Sequence, residues 1–81
     1  MVEPMVVADE KDLGRLVKSL RELLGLSQEK LAAKLGVTFS SVNRWENGHT
    51  KPSPLALKQI GDLVAGLGPA GKSLKDEFFA N

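Results

Sequence analysis

The chain has no cysteine and no tyrosine, one tryptophan, one histidine and three phenylalanines in 81 residues. Without cysteine there is no disulfide framework and no thiolate zinc site, so a domain this short must fold on its apolar core alone. That usage fits a reducing compartment. The single histidine, His49, cannot hold a metal by itself, because a site needs three or four ligands and the only carboxylate close by is Glu46. No stretch approaches the roughly 20 apolar residues of a membrane span, and Met1 to Val7 lack the basic region and the apolar length of a signal peptide. Signatures of catalysis are missing as well. No serine sits in a Gly-x-Ser-x-Gly elbow, and Gly66-Leu67-Gly68 lacks the rest of any phosphate-loop fingerprint. The expectation is one small intracellular domain that is not an enzyme, with no catalytic residue, no metal and no cofactor.

What is present is unevenly spread. The formal net charge is only +1. Residues 13–58, however, hold eight Lys and Arg against three Glu, a balance of +5, while residues 1–12 carry −3 and residues 59–81 carry −1. The basic excess therefore sits in the centre of the chain, between acidic ends, as a partner with a polyanionic surface would require.

The same centre has the clearest local signals. Ser27 is placed to cap a helix over 28–35, with Leu26 and Leu31 as a hydrophobic staple around the cap and Leu31, Ala32 and Leu35 as its apolar stripe. Gly36 follows as a left-handed terminator. The pattern then repeats: Thr38 caps a helix over 38–47, Val37 and Val42 take the staple positions, Val42 and Trp45 face inward, and Gly48 ends it. Small Ala32 suits a close crossing of the two helices. Two short helices joined by a glycine turn, the second with a polar and cationic outer face, form a helix-turn-helix, which lays its second helix in the major groove of DNA.

Around this unit the chain reads as further helices. Asp9 is a cap for a first helix with Glu10 and Asp12 in its first turn; Leu13, Leu16, Val17, Leu20, Leu23 and Leu24 lie on one face, and Gly25 ends it. Ser53 caps a fourth helix that starts at Pro54, carries Leu55, Leu57, Ile60, Leu63 and Val64, and finishes near Gly66 or Gly68. A short fifth helix around 72–79 would use Leu74, Phe78 and Phe79. The expected divisions are an N-terminal arm at 1–8, a DNA-binding domain at 9–68 and a C-terminal tail or short helix at 69–81. Leu16, Leu20, Leu31, Ala32, Leu35, Val37, Val42, Trp45, Leu57, Ile60 and Val64 are the expected core.

Residues 13–64 resemble the lambda-repressor-like DNA-binding domain of the Cro and phage-repressor family, also called the xenobiotic-response-element family. The likeness rests on Leu26-Ser27-Gln28, Leu31-Ala32, Leu35-Gly36-Val37-Thr38, Ser41-Val42 and Trp45-Glu46-Asn47-Gly48, followed by Lys51-Pro52. It implies an all-α bundle of four to five helices. It also implies that Gln28 grips a phosphate, that Asn47 and Lys51 meet the DNA backbone, and that Thr38, Phe39, Ser40, Asn43 and Arg44 face the bases. By the same resemblance Arg21 pairs with Glu46, tying the first helix to the back of the third. Phe39 departs from the polar residue often found at its place; it cannot read a hydrogen-bond pattern, but it can pack on a thymine methyl.

Arg44 has the chemistry for a bidentate contact to guanine O6 and N7, and Asn43 for one to adenine N6 and N7. The function expected is sequence-specific binding of double-stranded DNA by a transcriptional regulator, a repressor rather than an activator, acting in the cytoplasm at the nucleoid. The alternative is the antitoxin of a toxin–antitoxin pair that autoregulates through the same motif; an adaptor that has lost DNA binding is a third, against which Gln28, Arg44 and the basic centre argue. One recognition helix covers only ~4–5 base pairs, so a homodimer on a near-palindromic operator is expected, formed in solution or only on DNA and paired through the segment from Leu67 through Leu74, Phe78 and Phe79; the alternative is that Phe78 and Phe79 fold back onto their own core.

Overall fold

The computed structural model describes residues 10–78, which form five α-helices and no strand: α1 (Glu10–Leu24), α2 (Gln28–Leu35), α3 (Phe39–Glu46), α4 (Pro54–Ala65) and α5 (Pro69–Phe78). Asp9 and the arm at 1–8 lie outside the described residues, as do Phe79 and the side chain of Phe78. The helix starts follow from hydroxyl caps. Ser27, Thr38 and Ser53 each sit in extended backbone and accept a hydrogen bond from the N–H three residues on, at 3.1, 3.1 and 3.2 Å.

Three helix ends are closed by one device. Gly25, Gly36 and Gly48 take φ of 70°, 72° and 75°. In each case the glycine N–H and the next N–H turn back onto the helix: to Glu22 and Arg21, to Ala33 and Ala32, and to Trp45 and Arg44. This double closure satisfies carbonyls that would otherwise be orphaned, and it demands a residue without a β-carbon at the left-handed position. Its effect is to hold α2 and α3 in a fixed turn.

α1 packs across α3 and α5, α2 packs on α3, and α4 contacts α5 and α2. Between them lies a core of Leu13, Leu16, Val17 and Leu20 from α1, Leu31, Ala32 and Leu35 from α2, Val42 and Trp45 from α3, Ala56, Ile60 and Val64 from α4, and Leu74 from α5. Two of the expected core residues, Val37 and Leu57, are half-buried and pack at its edge.

Leu55 and Leu23 differ from expectation more sharply, at 67% and 52% exposed. One residue along a helix is a rotation of about 100°. With Ala56, Ile60 and Val64 facing the core, Leu55 is turned to the far side. Leu23 lies at the margin of the α1 stripe, where it rims a shallow groove against α5 with Ser19, Glu22, Ala70, Ser73 and Leu74. The fifth helix begins at Pro69, three residues earlier than expected, because proline is preorganised for the first helical position. Its Leu74 is 4% exposed and belongs to the chain's own core, so it is not available to the C-terminal pairing surface read from the sequence.

Candidate nucleic-acid interface

α3 divides cleanly. Val42 and Trp45 point inward and are buried, while Thr38, Phe39, Ser40, Arg44 and Asn47 are exposed and Asn43 is half-buried. Burial of the Trp45 indole fixes the rotation of the helix, so packing sets which of its residues face outward. A backbone feature supports this seat. α1 crosses the end of α3 so closely that a β-carbon on Gly14 would run into the Trp45 carbonyl. A glycine inside a helix costs roughly 1 kcal/mol relative to alanine, and this close approach is what it permits.

Behind α3, Arg21 and Glu46 form a two-point ion pair. Arg21 Nε–H donates to Glu46 Oε2 at 2.7 Å and Nη2 donates to Oε1 at 3.0 Å, while Nη1 donates to the Leu26 carbonyl at 3.0 Å. The Glu46 side chain is only 5% exposed and that of Arg21 17%. The hydrogen bond to Glu46 holds the Arg21 pKa above its ordinary value against the opposing effect of burial, and the charge of Glu46 adds to the rise. Each of its three nitrogens donates within the protein, joining α1, the α1–α2 turn and α3.

The pair extends into a line of amides. Gln28 Nε2 donates to Glu46 Oε1 at 2.9 Å, Asn43 Nδ2 donates to Gln28 Oε1 at 3.2 Å, and Asn47 Nδ2 donates to Asn43 Oδ1 at 3.1 Å. Gln28, expected to grip a phosphate, is thus half-buried and anchored at both ends of its amide. Nothing in the residue spacing announces this line, since it joins the start of α2 to the middle and end of α3. Thr38 serves chiefly as a cap, and its hydroxyl also bonds the Ser41 hydroxyl at 3.0 Å.

Phe39, 48% exposed, and Ser40 stand at the start of α3, and Arg44 lies one turn beyond Ser40 on the same side. Arg44 and Lys51, both exposed, have no ion-pair partner among the described residues. His49 is exposed, and its backbone N–H helps close α3. Among the described residues no cluster of His, Cys, Asp or Glu could hold a metal, and no helix is long and apolar enough to cross a membrane.

The outer face of α3 thus offers hydroxyls, a phenyl ring and a guanidinium with no ion-pair partner among the described residues. The chain belongs to the Cro/C1-type helix-turn-helix family, which it matches over residues 17–63 and whose members are DNA-binding domains of transcription regulators. Two HTH-type transcriptional regulators, one from Sinorhizobium medicae and one from Rhizobium meliloti, are each 33% identical to it over 52 residues. That alignment covers 64% of this chain and 37% of each relative, so the chain spans well under half the length of these proteins. No solved structure matches the chain significantly.

Proposed function

We propose that this chain binds double-stranded DNA sequence-specifically and represses transcription by occupying an operator in the cytoplasm, with α3 in the major groove. The observation that carries the reading is the exposed outer face of α3, with Arg44 lacking an ion-pair partner among the described residues on a helix locked from behind by Trp45 and the Arg21–Glu46 pair. Thr38, Phe39, Ser40 and Arg44 face the bases, with Asn43 at the margin of that face. The guanidinium matches the two acceptors of guanine, and the phenyl ring matches the methyl of thymine. Gln28, Asn47 and Lys51 meet phosphates, which position the helix without conveying sequence.

A second copy one helical turn away, ~34 Å along the duplex, supplies the information that one helix lacks, so the operator is a near-palindrome bound by a homodimer. Selection of sites from random duplexes at two salt concentrations tests this. The expected result is enrichment of a two-fold symmetric sequence, with affinity falling as salt rises. Absence of any enriched sequence contradicts it. Co-purification of a separate, non-DNA protein that blocks this enrichment would instead favour the antitoxin reading.

A further inference from the structure

The line of amides has a direction, and the direction is set by charge. An ionised carboxylate only accepts hydrogen bonds, so Glu46 requires Gln28 to turn its NH2 group inward. The Gln28 carbonyl is then left for Asn43, which answers with its own NH2, and the Asn43 carbonyl is left for the NH2 of Asn47. Reversing any one amide sets like against like at a neighbour. One ion pair therefore fixes three amide orientations across α2 and α3. Each amide nitrogen uses one N–H in the line and keeps a second, and N–H donors are what phosphate oxygens accept.

We propose that Asn43 is a positioning residue and not a base reader. It ties Gln28, at the start of α2, to Asn47, the C-cap of α3, so that the two amides meet DNA phosphates as a preset pair of donors. A bidentate contact to adenine would need Nδ2 and Oδ1 turned to the base together, whereas both already bond within the protein and the side chain is half-buried. The inference rests on the DNA-binding reading above and adds to it how the backbone contacts are held.

The experiment measures affinity of the full chain for a selected duplex and for every single-base-pair variant of it. Asn43→Ala is expected to weaken binding by one common factor, about three- to ten-fold, on all of them. The order of base preference and the salt dependence stay as in the wild type. Asn43→Ser, too short to bridge both neighbours, behaves the same and guards against a folding artefact in either variant, with thermal melts as the control. Adding Asn43→Ala to a Gln28→Ala, Asn47→Ala double variant costs nothing further, because Asn43 acts only through those two. A relaxed preference at one base pair, an undiminished affinity, or a full additional loss in the triple variant overturns the proposal. A wild-type chain that selects no duplex removes the DNA-binding reading and this inference with it. A selecting wild type whose preference changes on Asn43→Ala removes the inference alone.

Discussion

The helix-turn-helix segment, residues 27–52, and the C-terminal pair of α4 and α5 bury their apolar faces in the same core but treat charge differently. In the C-terminal pair, Lys58 and Lys72 each stand one turn before an aspartate, with Nζ 3.7 and 3.5 Å from Asp62 and Asp76. In the motif, Glu46 is committed to Arg21, and Arg44 and Lys51 are left without an ion-pair partner among the described residues. Exposed pairs of the first kind contribute about 0–1 kcal/mol and mainly mute the local field. Cations of the second kind keep their field for a partner. Packing is common to both regions, whereas Lys58 and Lys72 spend their charge within the chain and Arg44 and Lys51 do not.

The largest effect that could break this comparison concerns the seat of α3. Trp45→Ala should cost roughly 3–5 kcal/mol, most of the stability of so small a domain, and a thermal melt like that of the wild type would refute its place in the core. Arg21→Ala should cost ~3 kcal/mol by stranding the Glu46 carboxylate. Because the Arg21 pKa is raised, the stability it adds is present below the ordinary guanidinium value and fades only as pH rises through the higher folded value. Denaturant titrations should therefore give the same cost at neutral and mildly alkaline pH. Leu74→Ala should cost ~2–3 kcal/mol and, at a temperature where the variant is folded, leave DNA affinity unchanged, since α5 packs on α1 and α4 and contributes to the core, away from the outer face of α3. The smallest effect sharpens the contrast of charges. Lys51→Ala should lower the slope of log affinity against log salt by about one, whereas Lys58→Ala should leave it unchanged. Equal slopes for the two variants would erase the distinction between the regions.

The two regions also differ in how far the sequence discloses them. Caps and terminators act within three or four residues, so Ser27, Gly36, Thr38, Gly48 and Ser53 could be read directly from spacing. The family resemblance supplied the Arg21–Glu46 pairing, which no local rule contains. What stayed hidden depends on how helices cross. Gly14 lies where α1 meets α3, and a glycine inside an otherwise strong helix is the sequence's signal of such a close approach, without naming the partner. Gly71 does the same where α5 meets the end of α4, with no room for a β-carbon beside the Val64 carbonyl. Leu55 and Ala56 were separable only once the rotation of α4 was known, and hydrophobicity alone chose the wrong one. The amide line joins residues 15 and 18 apart in sequence to the ion pair, and its direction follows from the ionisation of Glu46.

The central claim is that the outer face of α3 reads base pairs, and Arg44 tests it most directly. Affinities of the wild type and of Arg44→Ala should be compared on the selected duplex and on its single-base-pair variants at fixed salt. The expected result is a loss of ~1–3 kcal/mol on the selected duplex, with preference relaxed at one base pair in each half-site and little change on unrelated DNA. Equal losses on selected and unrelated duplexes, with every base preference intact, would contradict it.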